Sequence, residues 1–156
     1  MNRFVSNFTS RLDAKGRVSI PASFRAVLRL DGFDGLYAHS SLDQPALDCG
    51  GNALITEIDA LTADFPAFSP ERDQVAMALM GTSEILRIDP EGRIVLPEAL
   101  KAFAKIGGAA AFVGLGRKFQ IWEPVRFAAH LAQAREKVRD MKQRLHGSSP
   151  GNGVSG

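Results

Sequence analysis

Arg11-Leu12-Asp13-Ala14-Lys15-Gly16-Arg17-Val18-Ser19-Ile20-Pro21 is used twice in this chain. It returns 76 positions later (87 minus 11) as Arg87-Ile88-Asp89-Pro90-Glu91-Gly92-Arg93-Ile94-Val95-Leu96-Pro97. Arg, Asp, Gly, Arg and Pro keep their offsets, and the other differences are mostly apolar swaps: Leu12 for Ile88, Val18 for Ile94, Ile20 for Leu96. Two copies of one structural unit differ in this manner. Each copy reads as strand, tight turn, strand and helix start, since the glycine permits the positive φ that a tight turn needs and the proline can open a helix. The repeat runs on into that helix. Phe24, Val27 and Leu28 form an i, i+3, i+4 stripe, and Leu100, Phe103 and Ala104 repeat it 76 positions later.

Around these two segments the chain is of ordinary composition, and its 156 residues suffice to bury a core as one domain or two small intimate halves. No apolar run approaches the roughly 18 residues of a membrane helix, and the N-terminus lacks a basic-then-apolar leader pattern, so the expected location is the cytoplasm. The single cysteine, Cys49, excludes an intramolecular disulfide and reads as a small core residue. His39, His130 and His146 offer no zinc spacing, and no metal or other cofactor is expected. The net charge of +2 conceals segregation along the chain: residues 1–30 carry +5, residues 31–84 carry −9 and residues 85–156 carry +6. Basic repeats joined by an acidic connector fit nucleic-acid binding, and equally a solvated charge pattern without a partner.

In order along the chain, residues 2–10 are strand-like, with Phe4 and Phe8 on one face and Arg3 and Val5 on the other. The first repeat's helix spans about 22–30 and ends at the turn cluster Asp31-Gly32-Phe33-Asp34-Gly35. Leu36-Tyr37-Ala38 reads as a strand that aligns, again at 76, with Phe112-Val113-Gly114, whereas Ala46–Cys49 is at best a weak strand. Residues 50–64 form a helix with Leu54, Ile58, Leu61 and Phe65 on one face, stopped by Pro66. A second helix runs from Pro70 to Met80, with Ser69 as N-cap and Glu71 in its first turn. Its face of Val75, Ala76, Leu79 and Met80 is read as a core contact between the two repeats in preference to a partner groove. The second repeat's helix spans about 97–105, followed by strands 110–113 and 119–122 around Gly114-Leu115-Gly116-Arg117-Lys118. That glycine pair joins strand to strand, which makes it a hairpin loop and not a phosphate loop. From Pro124 to Leu145 a long helix carries Phe127, Leu131, Ala134, Val138, Met141 and Leu145 at heptad-like spacing, a seam that fits another subunit's helix or the chain's own core. Residues 146–156 are rich in Gly, Ser, Pro and Asn and read as a disordered tail. The resulting division is 1–50, first repeat; 51–81, helical connector; 82–123, second repeat; 124–145, C-terminal helix; 146–156, tail.

The chemistry open to Asp-x-x-Gly-Arg is narrow. It supplies a carboxylate and a guanidinium that stays protonated, with no nucleophile or base beside them, so an enzyme is not expected. Asp13 with Arg17, and Asp89 with Arg93, can hold the turn by a charge-assisted hydrogen bond. In the first copy Lys15 joins Arg17, with Arg3 and Arg11 near in sequence, a set of cations suited to phosphates or guanine edges. Pro90-Glu91 replaces Ala14-Lys15 in the second copy, which should therefore bind DNA less well.

The doubled motif, together with Phe112-Val113-Gly114-Leu115-Gly116 and Phe119-Gln120-Ile121-Trp122-Glu123, resembles the MraZ family of bacterial transcriptional regulators, of the AbrB/SpoVT-like swapped-hairpin group. The likeness covers about residues 1–145. It implies an α+β fold in which two swapped-hairpin β-α-β repeats make one compact, pseudo-dimeric, β-barrel-like domain flanked by helices. It further implies a ring-shaped homo-oligomer, nucleoid-associated, that binds short G-rich direct repeats of double-stranded DNA in the promoter of the division and cell-wall gene cluster, its own gene included. Mapped onto this chain, the motif residues are Asp13, Lys15, Gly16 and Arg17, then Asp89, Gly92 and Arg93. Of these, Lys15, Gly16, Arg17 and Arg93 are expected to meet DNA, Lys15 and Arg17 in the major groove, with Arg3 on the backbone, while Asp13, Asp89 and Gly92 shape the turns. Leu47-Asp48-Cys49 departs from the apolar-aromatic strand and tryptophan usual in the family. The rival reading is a non-enzymatic protein-interaction or antitoxin-like module whose working surface is the heptad-like helix.

Overall fold

The computed structural model describes residues 2–147; most of the tail expected at 146–156 lies outside them. The chain divides into two compact units after Pro124. In the first unit the elements are β1 (Asn7–Arg11), β2 (Arg17–Ser19), α1 (Ala22–Asp31), β3 (Leu36–Ser40), β4 (Leu47–Gly50), α2 (Asn52–Ala63), α3 (Pro70–Leu79), β5 (Glu84–Leu86), β6 (Arg93–Val95), α4 (Glu98–Phe103), β7 (Ala109–Gly114) and β8 (Phe119–Trp122). The described residues of the second unit belong to one helix, α5 (Pro124–Gly147), in which no residue is buried.

The fold is α+β, with a six-stranded antiparallel sheet in the order β1-β7-β8-β4-β3-β5 and a two-stranded ladder β2-β6. The expected barrel-like closure is absent: β1 and β5 are the two edges of an open sheet. The order is palindromic, because β1, β7 and β8 on one side match β5, β3 and β4 on the other. At the centre β4 and β8 pair about Asp48↔Gln120, and in the small ladder β2 and β6 pair about Val18↔Ile94. Each half lends its first strand to the other: β1 pairs with β7, and β5 with β3. The strands on either side of each turn therefore do not form a hairpin ladder with one another. They belong to different sheets.

The 76-residue offset holds through the turns and into the helices, then slips. Ser10 pairs with Ala110 and its counterpart Leu86 with Leu36, so β3 and β7 correspond at 74 (110 minus 36), not 76. The expected match of Leu36-Tyr37-Ala38 to Phe112-Val113-Gly114 is thus corrected: Leu36 and Ala38 occupy the places of Ala110 and Phe112, all four in the core. The cause is the helix before them. α1 runs ten residues to Gly32 in the left-handed region, whereas α4 stops after six, with Lys105 at φ 57. In both, the two closing bonds reach back in the Schellman pattern, Gly32 N to Arg29 O and Phe33 N to Leu28 O, then Lys105 N to Ala102 O and Ile106 N to Lys101 O. On the shorter helix Ile106 completes the buried set and Phe103 does not: Phe103 is 41% exposed where Val27, its counterpart, is 7%.

The core joins the halves through aromatic rings. Phe24 of α1 lies 4.9 Å from Phe119 of β8, and Phe4 stands edge-on to both at 5.3 and 5.0 Å. Edge-to-face contacts at such separations add to the burial of area. Strand β1 starts later than expected, since Ser6 adopts φ 72 and leaves Phe4 as an isolated bridge to Gly116. Phe4 is buried, while Phe8 remains partly exposed. A second, smaller core is built from Tyr37, Leu54, Ile58 and Leu79, with Val75 and Met80 packed on it. The apolar face of α3 accordingly packs against α2 and β3, not between the two repeats as expected. Ser69 caps α3 by accepting from Arg72 N at 3.2 Å, as the sequence predicts.

Candidate nucleic-acid interface

Both Asp-x-x-Gly-Arg turns have the same internal wiring. Asp13 Oδ1 accepts from the amides of Lys15 and Arg17, each at 2.9 Å, and Oδ2 accepts from Arg17 Nε at 2.6 Å. Asp89 does the same with the amides of Glu91 and Arg93 and with Arg93 Nε, all at 2.9 Å. The main chain closes each turn through Gly16 N to Asp13 O and Gly92 N to Asp89 O. Gly16 at φ 77 and Gly92 at φ 82 take the left-handed conformation that side chains resist. The Arg17 and Arg93 amides, followed by the same residues' side chains, hold both carboxyls below their ordinary pKa. The Asp89 hydrogen bond in turn raises that of Arg93.

The turns are tied across the ladder. Ile20 N donates to Gly92 O at 2.9 Å and Leu96 N to Gly16 O at 3.2 Å, so each glycine carbonyl is fixed by the other half. Strand alternation then sorts the side chains. Val18 and Ile94 enter the core; Arg17, Ser19, Arg93 and Val95 lie on the outer face. Arg17 and Arg93 are diagonal neighbours on that face, roughly 7 to 8 Å apart by strand geometry. Because each Nε is committed to its aspartate, the fork of terminal amino groups is aimed in advance, which lowers the entropy lost on meeting an acceptor. Lys15 is exposed on the first turn. On the second, Glu91 reaches back to Arg93 Nη2 at 3.5 Å and draws on the same fork.

Of the residues singled out from sequence, the fold brings together Lys15, Gly16, Arg17, Arg93 and their aspartates. Arg3 sits elsewhere. From Asn7 to Arg11 the chain runs along β7, about 13 Å of strand, and Arg3 lies beyond the break at Ser6. Arg3 borders a hollow with Arg117, Asp31 and the end of α1, not the turns.

The fold buries a polar group that the local sequence pattern does not announce. Ala46–Cys49 is no weak strand: β4 is fully buried and lies at the centre of the sheet. It carries Asp48, whose Oδ1 accepts from Gln120 Nε2 at 2.7 Å and whose Oδ2 lies 3.2 Å from Lys118 Nζ. His39 Nε2 stands 3.8 Å from Oδ2, while Nδ1 donates to Ser40 O at 2.9 Å. These partners are what allow a carboxylate in the middle of a sheet. The signal available in sequence was a lone acid inside a short apolar run. Cys49, next to it, is buried and its thiol pKa is pushed up by desolvation and by Asp48, consistent with a packing role.

Among the described residues no helix is long and apolar enough to cross a membrane, and no group of three or more His, Cys, Asp or Glu could hold a metal ion. The loop between β7 and β8 is a hairpin, closed by Leu115 N to Lys118 O at 2.9 Å.

Comparison with known proteins agrees with the motif. Residues 78–148 match a family model described as "MraZ protein, putative antitoxin-like". The transcriptional regulator MraZ of Xanthobacter autotrophicus is 62% identical over 93% of this chain and 92% of its own length. Its counterpart in Beijerinckia indica is 61% identical over 93% and 88%, and that of Azorhizobium caulinodans 60% over 97% and 96%. Those matches span both repeats and the turns between strands, and with them this chain belongs to the MraZ family of transcriptional regulators.

Proposed function

We propose that the chain regulates transcription by binding DNA directly, with the first turn as its main reading head. The observation that carries this is the outer face of the β2–β6 ladder, where Arg17 and Arg93 are each held through Nε by Asp13 and Asp89. A preset guanidinium fork matches the paired acceptors of a guanine edge or a phosphate. Lys15 adds charge beside Arg17, the Gly16 backbone lets the turn approach the duplex, and Arg3 touches the backbone farther along.

One subunit offers few cations, and few phosphate contacts bind weakly and lose affinity with salt. A ring of like-oriented copies would engage successive short direct repeats at once and gain affinity through effective concentration. On this reading the two halves are a swapped-hairpin pair fused in one chain, divided at about residues 50, 81 and 123. The target is the promoter of the division and cell-wall gene cluster, including its own, in the cytoplasm at the nucleoid, with no enzymatic step. A second reading, an antitoxin-like interaction module, is favoured by the exposed apolar positions of α5, among them Leu131, Val138 and Met141.

The test is fluorescence anisotropy with DNA from upstream of the chain's own gene and with scrambled DNA, across a salt series. Preference for the upstream DNA, abolished in Lys15→Ala/Arg17→Ala at unchanged oligomer mass, supports the proposal. Equal, weak binding of both DNAs by the parent protein refutes it and turns attention to α5.

A further inference from the structure

The second turn is dressed differently from the first at a place the motif does not mention. Arg25, on α1, lays its guanidinium against the backbone of Gly92: a Cβ at 92 would overlap Nη1, Cζ and Nε of that side chain. The counterpart of Arg25 is Lys101, yet nothing lies within 4 Å of where a Cβ on Gly16 would stand. Among the described residues, Arg25 Nε is the one buried side-chain nitrogen or oxygen without a hydrogen-bond partner. A buried charged donor left unpaired is costly, and its persistence calls for a ligand or solvent atom to complete it. The guanidinium borders a hollow of about 230 Å³ that also receives Arg29, one helical turn on, with Phe33 and Pro90 as walls.

We propose that Arg25 and Arg29 clamp a phosphate of the DNA backbone beside the second turn. This rests on the DNA-binding reading above and deepens it. Glu91 stands where the first turn has Lys15, so the second turn has Arg93 but no counterpart of Lys15; Arg25 and Arg29 add that charge from the neighbouring helix. Two carboxylates share the hollow. Asp89 is already engaged by two amides and Arg93 Nε, and Asp34 is exposed to solvent. The pair of guanidiniums is thus the attraction an incoming anion meets, and a single phosphate in the hollow is bridged by both.

The test is the salt dependence of binding to the same upstream DNA for wild type, Arg25→Gln, Arg29→Gln and, as control, Lys15→Ala/Arg17→Ala, with oligomer mass and Tm measured alongside. The slope of log affinity against log salt should fall in magnitude by about one per engaged subunit in each single variant. Arg29 is exposed, so its variant carries the test even if Arg25→Gln folds poorly. Unchanged slopes in both, with the control still impaired, overturn the clamp and leave the DNA reading standing. Failure of wild type to prefer the upstream DNA overturns the DNA reading itself. Stabilisation by inorganic phosphate that Arg25→Gln abolishes, at an unchanged DNA slope, assigns the hollow to a free anion and also overturns the clamp.

Discussion

The two turns share a backbone and differ in what surrounds it. Aspartate, glycine and arginine make the same bonds at nearly the same lengths in each. Around the first the glycine is clear and Lys15 is exposed; around the second Glu91 competes for Arg93, and Arg25 covers the glycine. The comparison separates two jobs that one motif can hold. Asp, Gly and Arg specify the shape of the turn, while the two variable positions and the neighbouring helix specify its charge. A duplicated unit can thereby keep its fold fixed and divide the labour of recognition.

The sharpest way to break the symmetry of the scaffold is at the ladder's centre. Ile94→Ala should cost about 2–5 kcal/mol in chemical denaturation, since the side chain is fully buried and supports both halves. Val18→Ala, its mirror, should cost less in proportion to its smaller side chain. A far smaller loss at Ile94 would mean that the halves do not depend on each other there.

The division of labour is tested next. Arg17→Ala should lower affinity for the upstream DNA by about 1–3 kcal/mol, roughly fivefold to over a hundredfold, with Arg93→Ala weaker in effect. Glu91→Lys, which gives the second turn the first turn's charge, should tighten binding and steepen its salt dependence by about one unit of slope. An equal response at Arg17 and Arg93 would erase the distinction between the turns.

At the helix ends the expected effect is smaller. Lys105 holds the left-handed position that Gly32 fills in the first half, so Lys105→Gly should raise stability by about 0.5–1 kcal/mol in thermal unfolding. Gly32→Ala should lower it by a similar amount. The smallest effect is one of pH. Asp13 and Asp89 have folded pKa values below the unfolded value of about 4, so the stability they contribute is present above that pH and is lost as pH falls through the folded values. Asp13→Asn and Asp89→Asn should each flatten the acid limb of the stability profile by the same modest amount. Asp13 is exposed and Asp89 only half-buried, so the loss should be shallow.

Much of this was legible from residue order. The turns, α1, the ladder residues Val18 and Ile94, the cap at Ser69 and the hairpin after β7 follow from local rules of glycine, proline and alternation. What was not legible is non-local. Strand β4 reads as weak because Asp48 breaks its apolar run, and only Gln120 and Lys118, some seventy residues on, make that acid tolerable. The slip from 76 to 74 comes from a helix end three residues earlier at Lys105, a residue other than glycine, offset by one more residue between that end and the strand. The destination of α3 depends on Tyr37 and α2, which its own periodicity cannot name. Arg3 is close to the motif in sequence and far in space, because an extended strand separates them. Arg25 carries no local signal at all; its place is visible only where α1 meets the other half's turn.

The exchange of first strands also sets a timetable for the chain as it leaves the ribosome. Phe8 must wait for Phe112, 104 residues later (112 minus 8), before β1 has a partner. At bacterial synthesis rates that is about 5–20 s during which β1 has no place in the sheet. β5 finds β3 already made when it emerges. Of two strands that are equivalent in the finished sheet, one must wait for its partner and the other is received on arrival, so the nascent chain is less protected at β1 than at β5.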